Sequence, residues 1–258
     1  MLENSDITSV ALRHAELFPV AIVIAFLANS SGFSGGVLFQ PIIYFTQSLP
    51  LSTSIATGIA SETIGMTGGA FRYQQMKKIS WPIILPSLLW IFLGVCAGYT
   101  IFHFIPQRPL KFLLALVLIS VALLKIWELY SPPKTSSTNY GPAWRPLVGF
   151  LGGIGSASTG TGVCELHQPL FERVLRQRLI AANAAAITCE AWGNLWISAF
   201  NLNWGMIDFS VLMWTGPGVI IGSQLGARYS DRIPAHAMKL LFSLAVLSIG
   251  LFYLKQTI

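Results

Sequence analysis

Two glutamates in apolar surroundings are the residues of this chain best suited to do chemistry. Glu62 and Glu190 each stand inside a long apolar stretch, and they are 128 positions apart. A carboxyl group in an apolar medium costs so much free energy that a functional role is its default interpretation. In a low dielectric it can also bind and release a proton near neutral pH. The pair therefore predicts a proton-binding site, with structural hydrogen bonding between protonated glutamates as the alternative.

His167 and Trp192 are two further side chains that could contribute to such a site. His167 follows Glu165 closely and could extend a proton path, although a lone histidine more often makes ordinary hydrogen bonds. Trp192 and Trp196 share a helical face by their spacing and follow Glu190, so they could form one wall of the site. Packing, or anchoring at a membrane interface, is their alternative role.

Two clusters of glycine and small hydroxyl residues offer donors for an anion. The start of a helix supplies free backbone N–H groups and about half a positive charge, and glycine lets a ligand reach the backbone. Tight helix packing is the alternative role of the glycines, and the nearby glutamines could equally tie neighbouring segments together. The predicted substrate-binding residues are Ser31, Gly32, Ser34, Gly35, Gly36, Gln40, Ser158, Thr159, Gly160, Thr161, Gly162, Gln168 and Trp192.

These clusters interrupt segments that are too long for one simple crossing of a membrane. The 31 residues from Leu17 to Gln47 would form a helix of roughly 46 Å, whereas a hydrocarbon core is roughly 30 Å thick. Residues 29–36 disfavour helix, and in the second half Gly152-Gly153, Gly155-Ser156 and residues 158–162 are expected to do the same. We therefore predict two helical hairpins that enter a membrane and return, with new helices beginning near Gly36 and Gly162.

The chain repeats itself at a constant spacing of 128 residues, without a gap. Such a duplication in an apolar chain is typical of transporters built from two repeats, with the site where the halves meet. The predicted segments are a polar N-terminus (1–16), repeat 1 (17–130), a Pro/Ser/Thr-rich linker (131–144) and repeat 2 (145–258). The recurring residues include Gln40 and Gln168, Glu62 and Glu190, Gly65 and Gly193, Gly94 and Gly222, Gly98 and Gly226, Pro106 and Pro234, and Lys111 and Lys239.

Composition assigns the chain to membrane proteins. Of its 258 residues, 53% are hydrophobic and 10% charged, and its mean hydropathy is +0.63, whereas a soluble domain carries about 25% charged residues. The acidic N-terminus does not read as a signal peptide. Neither a nucleic-acid platform nor a nucleotide-binding loop is recognisable. The three cysteines lack the spacing of a disulfide framework or a zinc site. Taken together, these observations lead us to expect that the protein is not an enzyme and binds neither a cofactor nor a metal.

The distribution of basic residues favours hairpins over simple spans. If the first segment of each half crossed the membrane once, the 16 Lys and Arg would divide equally. If each hairpin returns to its own side, they divide 12 to 4, as the positive-inside rule requires, with Lys77, Lys78 and Lys125 on the cytoplasmic side. No Lys or Arg is then predicted in the membrane interior, and Arg72 is the basic residue nearest to it. Eight simple spans remain the alternative.

The predicted fold is an all-α polytopic protein made of two inverted repeats. Each repeat consists of a glycine-broken re-entrant hairpin and three transmembrane helices, and the odd number of spans inverts the second repeat. This places the protein as a multi-pass component of the cell (inner) membrane with both termini outside the cytoplasm. A homo-oligomer is compatible with this architecture.

The motif order resembles the sulfite exporter TauE/SafE family. The resemblance lies in SGFSGGVLFQPII, FRYQQMKKISWP and GVCAG, and in their second copies STGTGVCELHQPLF, NLNWGMIDF and GSQLGA. It implies movement of small sulfur oxyanions or organosulfonates such as sulfite or sulfoacetate. The chain departs from the family pattern where Ser, Thr and Cys replace glycines, and at Glu62 and Glu190, where small hydroxyl residues are more common.

The residues and the resemblance together predict a secondary transporter. Its partners are a small sulfur-containing anion, protons and the lipid bilayer, and its mechanism is alternating access between the repeats. A channel or uniporter on the same scaffold is one alternative. A membrane-embedded enzyme or metal-handling protein that uses Glu62, Glu190 and His167 is the other.

Overall fold

The computed structural model describes residues 14–102, 104–130 and 144–257, and all regular structure within them is helical. Two helices, residues 81–101 and 108–130, are long and apolar enough to cross a membrane by length and composition. The helices are α1 (Leu17–Ser31), α2 (Gly36–Gln47), α3 (Leu51–Gln75), α4 (Trp81–Phe102), α5 (Gln107–Tyr130), α6 (Trp144–Thr159), α7 (Val163–Pro169, extended by a π-helical turn Leu170–Val174), α8 (Leu179–Asn203), α9 (Phe209–Tyr229) and α10 (Ala235–Thr257).

The breaks in the long apolar segments lie at short glycine-containing links. The α1 helix ends where Gly32 adopts a φ of 77°, and the link between α6 and α7 contains Gly160 and Gly162 at φ of 63° and 149°. Side chains other than glycine rarely adopt such angles. The expected breaks at Gly152-Gly153 and Gly155-Ser156 are wrong, because α6 runs through these residues. Their small size serves contacts with other helices instead.

Helices pair closely where glycine removes side-chain bulk. The α4 helix packs along α6, and a Cβ atom at Gly98 would lie 2.8 Å from the Ile154 Cα atom. The α9 helix packs along α1 in the same way, and a Cβ atom at Gly218 would lie 2.6 Å from the Phe18 carbonyl oxygen. Close backbone approach at small residues is the usual means of helix association in membranes. Two further pairs, α5 with α10 and α3 with α8, complete the bundle.

Each broken segment returns towards the end at which it began. Gln47, the last residue of α2, hydrogen-bonds to His14 and to Glu16, which directly precede α1. At the end of the second broken segment, Arg173 donates to the Glu128 carbonyl oxygen at 2.9 Å, close to the end of α5. Both α1–α2 and α6–α7 are therefore hairpins whose tips lie inside the bundle.

Contacts between helix ends define two faces of the bundle. On one face the Asp208 amide donates to Thr57 Oγ1 at 2.9 Å, so the α8–α9 link lies near the start of α3. On the other face Tyr73, near the end of α3, interacts with Ser230 and Asp231 after α9. We call these the Asp208 face and the Tyr73 face. The first hairpin begins at the Asp208 face, and the second begins at the Tyr73 face.

Helix boundaries in the two halves agree when the first half is shifted by 128 residues. Shifted in this way, α3 coincides with α8, and the starts of α4 and α5 coincide with those of α9 and α10. The predicted limit of Gln47 for the first hairpin also agrees with the structure. Trp144 belongs to α6 rather than to the predicted linker, and the remaining linker residues and residues 1–13 lie outside the described part of the chain.

Candidate functional site

Glu62 lies in the middle of α3 and is buried beside the tip of the first hairpin. Its Oε1 atom is 2.7 Å from Ser34 Oγ, and its Oε2 atom accepts a hydrogen bond from Asn194 Nδ2 at 3.1 Å. The backbone amides of Gly35 and Gly36, at the start of α2, also interact with the carboxyl group. The first amides of a helix lack partners within it, so Glu62 occupies donors that a bound anion would otherwise use.

The surroundings of Ser34 suit a Glu62 that carries a proton. Ser34 Oγ lies 2.6 Å from the Gly160 carbonyl oxygen and 2.7 Å from Glu62 Oε1. A hydroxyl group has one hydrogen, and a carbonyl oxygen can only accept. Both short contacts are hydrogen bonds at the same time when Glu62 donates its proton to Ser34 and Ser34 donates to Gly160.

Glu190 takes the corresponding place in the second half. It is buried in α8, its Oε1 atom accepts from Ser156 Oγ at 2.6 Å, and its Oε2 atom accepts from the Cys164 amide at 2.6 Å. Cys164 lies in the first turn of α7, just as Gly36 begins α2. Each predicted proton-binding glutamate is therefore hydrogen-bonded to the hairpin of its own half.

Glu165 joins the two hairpin tips and is a site residue that the sequence pattern did not indicate. Its Oε1 atom accepts from the Ser34 amide at 3.0 Å, and its Oε2 atom accepts from the Gly162 amide at 2.8 Å. Its side chain is buried. The position three residues after Gly162 is the capping-box position of α7, and this spacing could have identified it.

The two predicted glutamines tie segments together. Gln40 Nε2 donates to the Thr159 carbonyl oxygen at 2.5 Å, which links α2 to the opposite hairpin tip. Gln168 Nε2 donates to Glu172 at 2.6 Å, and Gln168 Oε1 accepts from Lys125. In this conformation both glutamines therefore hold segments together, and their role as donors to an anion stays a prediction.

The predicted hydroxyl donors divide into two groups. Ser31, Ser158 and Thr159 donate to carbonyl oxygens of their own helices, at 2.6 to 3.0 Å, so their hydroxyl hydrogens are already used in this conformation. Thr161 is buried, and its Oγ1 atom has no hydrogen-bond partner among the described residues. Ser34 contacts both Glu62 and the opposite tip. Ser34 and Thr161 are therefore the predicted hydroxyl residues that could donate to an anion at the hairpin tips.

His167 and Trp192 form their hydrogen bonds with backbone carbonyl oxygens and not with the carboxyl cluster, by which we mean Glu62, Glu165 and Glu190. His167 Nδ1 is 2.9 Å from the Val163 carbonyl oxygen, and the ring packs against Phe171. Trp192 Nε1 donates to the Leu88 carbonyl oxygen of α4 at 3.1 Å, and its indole packs edge-on against Trp196. The described contacts join neither side chain to Glu62 or Glu190.

Lys125 is a cation buried inside the protein, which its position in the sequence did not indicate. It lies in α5 with its side chain 1% exposed, and its Nζ atom contacts Glu128 Oε2 at 3.2 Å and the Glu165 carbonyl oxygen at 3.3 Å. Its ammonium also stands 5.1 Å from the centre of the Phe33 ring at the first hairpin tip. Lys125 lies five residues before the end of α5. A lysine so close to a helix end can extend its side chain to the interface, so its sequence position alone did not indicate burial.

A cavity of about 280 Å³ opens at the Asp208 face and reaches the second hairpin tip. Its floor includes Ser158, the penultimate residue of α6, and Ile59 of α3, the side chain closest to Gly160 after that of Gln40. We call it the first vestibule. The residues that line it are Ser52, Ile55, Ala56, Ile59, Tyr99, Ile105, Pro106, Leu110, Ala157, Ser158, Asn201 and Met206.

Two broken helical segments meet in this protein, and buried carboxyl groups and hydroxyls surround their tips. These are features of a membrane transporter rather than of an enzyme. The chain belongs to the sulfite exporter TauE/SafE family, whose profile matches residues 17–253. This confirms the family resemblance seen in the motifs.

Two relatives are similar over almost their whole length. A probable membrane transporter protein of Methanocaldococcus jannaschii is 22% identical, and the alignment covers 92% of this chain and 96% of the relative. A probable membrane transporter protein of Sinorhizobium sp is 23% identical, with 92% of this chain and 90% of the relative covered. No solved structure gives a significant match.

Proposed function

We propose that the protein is a secondary transporter that moves a small sulfur-containing anion together with protons. The observation that carries this proposal is the position of Glu62, whose carboxyl group lies on the amides of Gly35 and Gly36 and on the Ser34 hydroxyl. These are the uncharged donors predicted to bind the anion. A fixed cation would hold an anion more permanently than neutral donors do.

Competition for these donors would couple the two fluxes. An ionised Glu62 keeps the amides of Gly35 and Gly36 and repels an approaching anion, whereas a protonated Glu62 is neutral and holds them weakly. Protonation therefore releases the donors at the moment when a substrate oxyanion can accept their hydrogen bonds. Glu190, on Ser156 and the Cys164 amide, would act in the same way in the other half. Proton and anion would then move in the same direction.

The arrangement of the hairpins supports inverted repeats and alternating access. One hairpin begins at the Asp208 face and the other at the Tyr73 face, three helices separate them, and the helix boundaries of the halves agree after a shift of 128 residues. Repeats 17–130 and 145–258 would then lie in opposite directions in the membrane. With the positive-inside rule, the Tyr73 face, which carries Lys77 and Lys78, is cytoplasmic and both termini are external.

The substrate class follows from the family and from the donors at the tips. The family is described as sulfite exporters, and the motifs resemble those of carriers of sulfite and organosulfonates. Several oxygen atoms on one sulfur could accept from Ser34, Gly35 and Gly36 at the same time. The first vestibule, with apolar walls and hydroxyl and amide groups, also has room for the short organic body of a sulfonate such as sulfoacetate.

Replacing each glutamate by its neutral amide tests the coupling. We expect Glu62→Gln and Glu190→Gln to abolish proton-driven accumulation in proteoliposomes and to spare exchange of one anion for another, because an amide cannot carry the proton. Glu16→Gln makes the same chemical change at an exposed glutamate that precedes α1, so it serves as the matched control and should retain both activities. Full accumulation in both glutamine variants would remove the coupling claim.

A further inference from the structure

The first vestibule has a closed counterpart in the other half of the chain. Five of its lining residues recur unchanged 128 positions away, so that Ala56 corresponds to Ala184, Ile59 to Ile187 and Ser158 to Ser30, and Ile105 and Pro106 recur also. The counterparts lie towards the Tyr73 face, on the opposite side of the hairpin tips.

The counterparts are packed shut in this conformation. Ser30, Ala184 and Ile187 are as buried as their counterparts in the first vestibule, so the difference lies in the packing around them. A Cβ atom at Gly69 would overlap with Asn29 Oδ1, and one at Gly32 would lie 2.5 Å from Asn183 Oδ1. Tyr73, the counterpart of Asn201, is also fully buried, and its hydroxyl donates to the Asn29 carbonyl oxygen at 2.7 Å. The same positions therefore surround a cavity at one face and a closed, hydrogen-bonded contact at the other.

Two buried amide oxygens distinguish this contact from an ordinary core. The Oδ1 atoms of Asn29 and Asn183 accept no hydrogen bond from the described residues. Asn29 Oδ1 faces Gly69, and Asn183 Oδ1 faces Gly32 at the first hairpin tip. Burying such groups without partners costs roughly 1–3 kcal/mol each, and native proteins keep few of them. Both oxygens would be hydrated if this contact opened to water.

We infer that a second vestibule opens at the Tyr73 face between Asn29, Ser30, Tyr73 and Asn183, and that the transported anion passes through it. This inference rests on the proposed transport function. Opening requires the Tyr73–Asn29 hydrogen bond to break, while the first vestibule, lined by the corresponding positions, closes around Ser158 and Asn201.

The lining of the second vestibule suits an anion. Ser30 Oγ and Asn29 Nδ2 already donate to carbonyl oxygens of α1. Once the Tyr73–Asn29 hydrogen bond breaks, the inner part would present the Tyr73 hydroxyl and the Asn183 amide nitrogen as neutral donors. Met206 lines the first vestibule, and its counterpart at the mouth of the second is Lys78. A cation at the mouth raises the local concentration of anions without holding them at depth.

Two single cysteine variants, Ser30→Cys and Ser158→Cys, test the inference, because these positions carry the same residue in the two halves. They are introduced singly into a chain with Cys96→Ala, Cys164→Ala and Cys189→Ala, and reacted with a membrane-impermeant thiol reagent applied to one face of the vesicles at a time. Ser158→Cys should react from the Asp208 face, and Ser30→Cys should react from the Tyr73 face alone.

Removing the closing hydrogen bond gives the second arm of the test. Tyr73→Phe keeps the ring and deletes the hydroxyl, so it should raise the reaction rate of Ser30→Cys at least threefold and lower that of Ser158→Cys. Ala184→Cys is a second reporter in case Ser30→Cys does not fold. The inference is overturned if both Tyr73-face reporters stay unreactive with and without Tyr73→Phe, or if both vestibules react from one face.

The labelling experiment needs no substrate, so it separates this inference from the proposed substrate. Reciprocal labelling without transport of any sulfur anion would leave the second vestibule in place and overturn the substrate class alone. Transport of a sulfur anion without reciprocal labelling would support the substrate class and overturn the second vestibule.

Discussion

At the residue scale, three buried carboxyl groups share the backbone amides of two hairpin tips. Glu62 lies on the first tip, Glu190 on the second, and Glu165 accepts from the Ser34 and Gly162 amides of both. Three ionised carboxylates in one low-dielectric region would repel one another strongly. Under the coupling proposed above, proton binding at Glu62 and Glu190 would relieve this repulsion and so favour contact between the tips.

The buried Lys125–Glu128 pair supports the second tip and gives a prediction about stability. Lys125→Met would leave Glu128, 7% exposed, without its ammonium partner. Loss of one partner of a buried pair costs roughly 3–5 kcal/mol, so we expect the apparent Tm in detergent to fall by roughly 6 °C or more. Thermal unfolding of the purified protein measures this fall.

The neighbouring pair Lys239–Glu172 provides the matched control. Its atoms are 3.6 Å apart and its side chains are 12% and 32% exposed. The Glu172 carboxylate therefore keeps access to water when its partner is removed, and Lys239→Met should lower the Tm less than Lys125→Met does. Adding Glu128→Gln to Lys125→Met should recover part of the lost Tm, because the stranded charge is gone. Equal effects of the two lysine changes would contradict the structural role assigned to Lys125.

At the element scale, two long helix pairs, α1 with α9 and α4 with α6, form the frame that carries the hairpins. Each pair joins the first arm of one hairpin to a helix of the opposite half. Glycine permits this closeness, because the other helix's backbone occupies the space of a side chain. The first arm of each hairpin is therefore held by a helix outside its own repeat.

Two glycines of α9 allow this packing to be measured. A Cβ atom at Gly218 would lie 2.6 Å from the Phe18 carbonyl oxygen, whereas at Gly216 its nearest neighbour would be Ile64 Cδ1 at 3.8 Å. We expect Gly218→Ala to destabilise the protein by roughly 1–3 kcal/mol. Gly216→Ala should be neutral or stabilising by up to about 1 kcal/mol, because alanine favours helix. Indistinguishable melting of the two variants would show that α1 and α9 are not in such close contact.

The sequence located the break of the first hairpin and, at residues 158–162, that of the second, but it also predicted breaks at Gly152-Gly153 and Gly155-Ser156 that α6 does not have. Leu17–Gln47 is too long for one span, and its glycines and hydroxyls coincide with the break. In α6, Gly152 and Gly155 have the same composition but pack against α7, near Val163 and Thr161. Local propensity does not distinguish a glycine that ends a helix from one that lets another backbone approach, since the difference lies in the partner.

At the scale of the whole molecule, equivalent positions in the two halves have different surroundings. Ser158 and Ser30, 128 positions apart, are equally buried, but Ser158 lines the first vestibule, whereas Ser30 adjoins the hydrogen bond between Tyr73 and Asn29. A strictly symmetric bundle would be open or closed at both faces. Unequal surroundings for equivalent residues are expected of a carrier seen in one of its two conformations, and exchange of those surroundings is the motion proposed here.

Duplication made the candidate site partly predictable. Glu62 and Glu190 stand out in the sequence because they recur in apolar stretches, and the structure places both at hairpin tips. Glu165 and Lys125 have no acidic or basic counterparts, since the equivalent positions are Val37 and Tyr253. Residues that connect the two halves need not recur, so a search for repeated residues does not find them.

Substrate-dependent proton movement in proteoliposomes tests the central claim most directly. Sulfoacetate and isethionate are the most informative substrates, because a sulfonate group stays ionised near neutral pH and any proton that moves is bound by the protein. The account predicts a saturable proton flux with one or more sulfur anions, beside non-sulfur carboxylates as controls, and its loss in the Glu62→Gln and Glu190→Gln variants. Isotope-detected anion flux without proton movement would contradict coupling and indicate a uniporter or channel, and no flux of any sulfur anion would contradict the proposed substrate class.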